Sequence, residues 1–158
     1  MNMPDNLVTI ESVECRIARL EDIIGLRQEV LIKGTGRVSP EFPGDRDATT
    51  RHFGAFYQER ILGCLTFMLN EWLGNPAWQL RGMATDPAFT GKGIGRKLLR
   101  FAETHLLRVS PVRRLWCNAR TGAVGFYLKQ GWRLESDEFL IPGVGPHYKM
   151  SKTIEEGD

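Results

Sequence analysis

Met83-Ala84-Thr85-Asp86-Pro87-Ala88-Phe89-Thr90-Gly91-Lys92-Gly93-Ile94-Gly95-Arg96 is the stretch that decides how this 158-residue chain is read. The segment from Trp78 to Thr85 reads as a strand, and Asp86-Pro87 ends it with turn chemistry. Three alternating glycines then open a helix expected from about Gly95 to Val109, with Ile94, Leu98, Phe101, His105 and Val109 near one face and Leu99, Ala102 and Leu106 beside it. The first amides of a helix lack internal partners, and its dipole places partial positive charge there. Glycines let backbone approach a ligand without side-chain clash. The segment therefore suits an anion such as a pyrophosphate, with Lys92, Arg96, Lys97 and Arg100 as nearby cations.

Two familiar phosphate loops are excluded by spacing. A P-loop needs Gly-Lys-Ser/Thr, but Gly91-Lys92 is followed by Gly93. The dinucleotide fingerprint needs its third glycine three residues after the second, whereas Gly95 follows Gly93 by two. On these residues alone, a tight strand-to-helix connection without a ligand stays open.

Outward from this segment, residues 1–12 read as a loose tail, Cys15 to Ala18 as a strand, and Leu20 to Lys33 as a helix stopped by Gly34 and Gly36. Arg37 to Thr49 is expected to be a long polar surface loop. Strands follow near His52 to Tyr57 and Ile61 to Leu69, with Gln58-Glu59-Arg60 as the hairpin turn. After the glycine-led helix come a strand at Leu115 to Asn118, a helix at Gly122 to Gln130, and strands near Trp132 to Leu134 and His147 to Lys152. The order β-α-β-β-β-α-β-α-β-β predicts an α/β fold with a mixed sheet and helices on its faces. It forms one domain, residues 1–158, with a core at about 13–152.

Composition bounds the function. A chain that is 42% hydrophobic and 25% charged, with net charge +2, is an ordinary globular protein without the basic excess of a nucleic-acid binder. Cys15, Cys64 and Cys117 are odd in number and far apart, each inside a strand-like apolar run, so they read as buried reduced thiols rather than a zinc site or redox pair. No metal is expected. Met1 to Glu14 lacks a basic start and an apolar stretch, and no apolar run reaches the ~18 residues of a membrane span. The cytoplasm, with no membrane partner, is the expected location.

The sequence resembles the GNAT superfamily of acetyl-CoA-dependent N-acetyltransferases. Met83-Ala84-Thr85-Asp86-Pro87 is similar to that family's strand end, and Gly91-Lys92-Gly93-Ile94-Gly95 to its pyrophosphate loop. Thr90 stands where the family usually has Arg or Gln, which removes a side-chain contact but no backbone amide. A second segment, Ala123-Val124-Gly125-Phe126-Tyr127-Leu128-Lys129-Gln130-Gly131-Trp132, is similar to the family's Ala-x-x-Leu/Phe-Tyr-x-Lys-x-Gly-Phe. Arg120 occupies a position often held by Asn, and Asn118 and Thr121 lie close enough to cap the helix or touch cofactor. The resemblance implies a mostly antiparallel central sheet flanked by helices, with the strand ending at Thr85 splaying from the strand near Trp116.

It further implies that acetyl-CoA pairs its pantetheine with Met83, Ala84 and Thr85, and that Thr90, Gly91, Lys92, Gly93, Ile94, Gly95, Arg96 and Asn118 contribute to cofactor binding. An amide of Met83 or Ala84 would stabilise charge on the thioester oxygen. Tyr127 is the implied general acid for the departing thiolate, its phenol being protonated at neutral pH. The implied acceptor is a primary amine of a small molecule or peptide. Deprotonating a lysine-like amine at pH 7 costs about 4–5 kcal/mol, so a base is expected. Glu71, His52, His147 and the Asp45/Asp47 loop are the candidates; His147 suits best by residue type but is not assigned. The acceptor pocket is expected from the first helix, the Arg37 to Thr49 loop and the Leu140 to His147 loop, where Asp45 and Asp47 could attract a cationic amine. A non-catalytic acyl-CoA-binding module is the alternative function, and a homodimer is left open.

Overall fold

A computed structural model describes residues 7–156 of the chain. Along it run β1 (Glu14–Ala18), α1 (Leu20–Arg27), β2 (Arg51–Tyr57), β3 (Arg60–Leu69), β4 (Trp78–Thr85), α2 (Ile94–Val109), β5 (Arg114–Arg120), α3 (Val124–Lys129), β6 (Arg133–Leu134), β7 (Phe139–Ile141) and β8 (Gly145–Thr153). The described strands form one sheet in the order β1-β2-β3-β4-β5-β8-β6, with β7 also on β8. Every pairing is antiparallel except that of β4 with β5. This is the mixed, mostly antiparallel α/β sheet flanked by helices that the sequence implied.

Both faces of the middle strands are covered, which is why β2 is buried at every interior position. On one face α2 lays Ile94, Leu98, Leu99, Ala102 and Leu106 against Phe53, Leu65, Phe67, Leu80 and Leu115. On the other, Leu20, Ile23 and Leu26 of α1 meet Cys64 and Ala84. Each fully buried leucine contributes roughly 1.5–3 kcal/mol of transfer free energy.

Several expectations are corrected. The buried face of α2 is centred on Leu98, Leu99, Ala102 and Leu106, and Val109 at its end is 54% exposed. α1 stops at Arg27, and Gln28–Ile32 continues as a π-helical turn closed by Lys33 N–H donating to the Gln28 carbonyl at 2.9 Å. Within the supposed loose tail, residues 1–6 lie outside the described residues. From there on Val8 is buried and Ile10–Ser12 is a 3₁₀ turn. The Lys97 ammonium donates to the carbonyls of Ile10 and Val13, so Lys97 fastens this segment instead of facing an anion at the helix start. Of the three free cysteines, Cys15 is only half-buried. β7 was not expected, because three residues are too few to show a period of two.

The Arg37 to Thr49 stretch is not polar surface throughout, for it carries Phe42 and Asp45 into the interior. The Arg27 guanidinium, wholly buried, donates to both Asp45 oxygens at 2.6 and 3.0 Å, to Thr66 Oγ1 at 2.8 Å and to the Pro40 carbonyl at 2.9 Å. It stacks 4.4 Å from the Phe42 ring centre. His52 completes the network, its Nε2–H donating to the Asp45 carbonyl and its Nδ1 accepting from Thr66. Removing one partner of a buried pair leaves the other charge uncompensated. Asp45→Ala would strand the guanidinium, so chemical denaturation should show a loss of about 3–5 kcal/mol. A loss under about 1 kcal/mol would mean that the pair does not organise this region.

Candidate active site

The centre of the molecule is the place where β4 and β5 part. They pair at Trp78↔Leu115, Gln79↔Trp116 and Leu80↔Cys117, and no further. Beyond that point β5 continues along β8 through Arg120↔His147, while β4 continues along β3 to Gly63↔Thr85. One extra residue separates Thr66↔Arg81 from Cys64↔Ala84, so β4 bulges at Gly82 and Met83. Gly82 has φ +60°, and a Cβ there would lie 2.8 Å from Arg27 Nε. Glycine is therefore required by conformation and by space. The bulge turns Met83 toward the α2 side, and the backbone of Arg81 to Thr85 faces the gap without a strand partner.

The gap is a cleft of about 130 Å³ whose walls include Leu31, Gly82, Met83, Asn118, Tyr127 and His147. At its α2 end, Asp86 caps a 3₁₀ turn by accepting from Ala88 N–H. Gly91 and Gly93 then take left-handed φ of +78° and +84°. The first intrahelical bond of α2 runs from Lys97 N–H to the Gly93 carbonyl, so the amides of Ile94, Gly95 and Arg96 precede it. Gly95 lies against Met83 and Phe126, and Arg96 is exposed on the first turn. Thr90 donates its hydroxyl to the Pro87 carbonyl at 3.2 Å, stabilising its own turn. The described geometry of Met83, Ala84, Thr85, Gly91, Lys92, Gly93, Ile94, Gly95 and Arg96 thus joins an unpaired strand edge to an unsatisfied helix start.

Tyr127 reaches the cleft from α3. Its ring is 7% exposed and packs 5.4 Å from Trp132, which also reaches α2 through Nε1–H to Glu103. The hydroxyl donates to Met83 Sδ at 3.6 Å, a weak acceptor. Burial pushes the phenol well above its ordinary value. Cys117 itself lines the cleft and is likewise pushed up by burial, so it stays a thiol.

The candidate bases separate clearly. His52 has both ring nitrogens engaged, Asp45 is held by Arg27, and Asp47 and Glu71 are exposed; none of the four lines the cleft. His147 does line it, 3% exposed. Its Nδ1 is 2.7 Å from the Gly145 carbonyl. A carbonyl only accepts, so Nδ1 carries a proton, and in the neutral ring the lone pair is on Nε2. Asn118 also lines the cleft, with Oδ1 accepting from Lys149 at 3.1 Å. Arg37 and Arg81 line it too, which sequence reasoning missed. Arg81 was legible from alternation after Leu80; Arg37 left no periodic signal.

The acetyltransferase (GNAT) family model matches residues 24–132, which span the bulged strand, the glycine loop and Tyr127. The chain belongs to the GNAT acetyltransferase family. It is 32% identical over 148 residues to the Bacillus subtilis (strain 168) protein named uncharacterized N-acetyltransferase YitI, covering 90% of this chain and 97% of that one. The fold is similar to the crystal structure of Escherichia coli ElaA, with a TM-score of 0.74 and 14% identity over 89% of this chain and 99% of that one. It is also similar to a GNAT family acetyltransferase from Elizabethkingia anophelis with acetyl-CoA bound, with a TM-score of 0.67 and 14% identity over 91% of this chain and 99% of that one. Among the described residues no cluster of His, Cys, Asp or Glu is arranged to hold a metal ion, and no helix is long and apolar enough to cross a membrane.

The buried phenol of this GNAT chain has a measurable signature. Tyr127 ionises more readily once unfolded, because its folded-state value is the higher one; stability should therefore fall as pH rises past about 10. Subtracting the tyrosinate absorbance titration of Tyr127→Phe from that of the parent should show no ionisation until well above pH 10. A difference step at or below pH 10 would place the hydroxyl in water.

Proposed function

We propose that this chain transfers an acetyl group from acetyl-CoA to a primary amine of a small molecule or peptide by direct attack, with Tyr127 as general acid. The observation that carries the reading is the Tyr127 hydroxyl, protonated and weakly bonded, at the wall of a cleft opened by an unpaired strand edge. The residues present suit the donor: amides at Ile94 to Arg96 for its pyrophosphate, with Lys92 and Arg96 beside them, and the Met83 to Thr85 backbone for its pantetheine. Acetyl-CoA would supply the activated acetyl thioester.

This chain's residues supply the rest. The Met83 or Ala84 amide donates to the carbonyl oxygen as negative charge develops there. His147 Nε2 accepts a proton from the amine, directly or through water, while its Nδ1–H stays on the Gly145 carbonyl. Tyr127 gives its proton to the departing sulfur. Cys117, held as a neutral thiol by burial, is unsuited to carry the acetyl group, which favours direct attack over a covalent relay.

Two variants test these roles. Tyr127→Phe keeps the ring and its packing, so turnover on an amine substrate should fall on the order of 10²–10⁴-fold with acetyl-CoA affinity little changed. Full activity would reduce Tyr127 to a packing residue. Gly93→Glu puts a negative charge at the helix start and a side chain on a left-handed residue. Calorimetry should show acetyl-CoA binding lost while the fold persists; parental affinity in a folded variant would show the loop to be misassigned.

A further inference from the structure

The cleft has two sides of different charge. Side chains alternate along β4 and β5, so Leu80, Leu115, Cys117 and Ala119 point into the core under α2. Arg81, Asn118 and Arg120 therefore point to the α1 side. His147 and Lys149 stand opposite Arg120 and Asn118 on β8 and share that face. Arg37 joins them from the segment after the π-helical turn, where the Gly36 N–H donates to the Gly143 carbonyl at 3.0 Å and ties the two mouth loops together. Arg37, Arg81 and Arg120 line the cleft, and among the described residues no Asp or Glu does.

Nothing else in the described structure neutralises these arginines. None forms an ion pair among the described residues. Arg81 donates to the Pro43 carbonyl at 2.8 Å and to Met68 Sδ. Arg37 and Arg81 flank the Phe42 ring at 5.2 and 5.3 Å, with Arg27 at 4.4 Å. Asp45, the nearby carboxylate, already has both oxygens on Arg27. Burial lowers the Arg37 and Arg81 guanidiniums from their ordinary values, and Arg120 adds repulsion at Arg37. Glu138 accepts from Thr121 and does not line the cleft.

We infer that the acceptor amine carries an anionic group, a carboxylate or phosphate, which docks on Arg37, Arg81 and Arg120 at the α1 side of the cleft. The inference rests on the acetyl transfer proposed above and names its substrate class. Guanidinium forks match both oxyanions in two-point geometry. The donor's pyrophosphate has its own place at the start of α2, which packs on the opposite face of the sheet. An anion held on the arginines leaves its attached amine in the cleft that His147 and Tyr127 share. On this reading the acceptor is drawn by the arginines rather than by the Asp45 and Asp47 carboxylates.

The test is a panel of amines with acetyl-CoA, followed by free thiol release. Amino carboxylates and aminoalkyl phosphates are each compared with the uncharged amine of matching length, and polycationic amines are included. At least one anionic amine should exceed its uncharged counterpart in kcat/KM by roughly 10–100-fold, the range of charge-assisted hydrogen bonds. The arm that succeeds identifies the oxyanion. Arg120→Glu, at an exposed position, and Arg37→Gln should raise the acceptor KM about tenfold or more and leave the acetyl-CoA KM unchanged. Preference for uncharged or polycationic amines overturns the inference while leaving acetyl transfer standing. A rise in the acetyl-CoA KM instead also overturns it, assigning the arginines to donor phosphates. If no amine in the panel is acetylated, the proposed transfer falls together with this inference.

Discussion

The arrangement depends on β4 and β5 being unable to remain paired beyond Leu80 and Cys117. β5 is committed to β8 along its whole length, and β4 is committed to β3 with one extra residue at Gly82. A strand that keeps both neighbours would bury its backbone groups completely. Here each of the two keeps one neighbour, and β4 is left with an edge inside the molecule. That edge is open to an extended ligand, which is how main-chain pairing supports recognition in general.

The bulge has a structural cause on the α1 side. Arg27 enters beneath Gly82 and is held there by Asp45, Thr66 and the Pro40 carbonyl, with Phe42 stacked on it. A side chain at position 82 would collide with the guanidinium. The network thus links the irregular segment after α1 to the shape of β4, and through the bulge to the direction of Met83 and the Tyr127 hydroxyl. Stability and site geometry share the same residues.

Much of this was legible in the sequence. Strong periodicity and glycine placement located α2 and β4, and the Tyr127 segment located α3, because local chemistry dictates these elements. The polar partners were not legible. Asp45 and His52 look like solvent-exposed or catalytic groups until a buried arginine 18 residues before Asp45 takes up its carboxylate, and Thr66 and the Asp45 carbonyl take up the His52 ring. Lys97 looks like a phosphate ligand until it meets carbonyls 84 and 87 residues away. Such long-range pairings leave no periodic trace, and Arg37 reaches the cleft for the same non-local reason. His147 stood out by residue type, but only the Gly145 carbonyl assigns its tautomer.

Amide hydrogen exchange with and without acetyl-CoA tests most directly whether the parted strands and the glycine loop hold the donor. Saturating acetyl-CoA should slow exchange in two segments together, residues 81–85 on the free edge of β4 and residues 91–96 at the start of α2. Protection confined to other segments, or no protection at saturation, would contradict the assignment of the cleft.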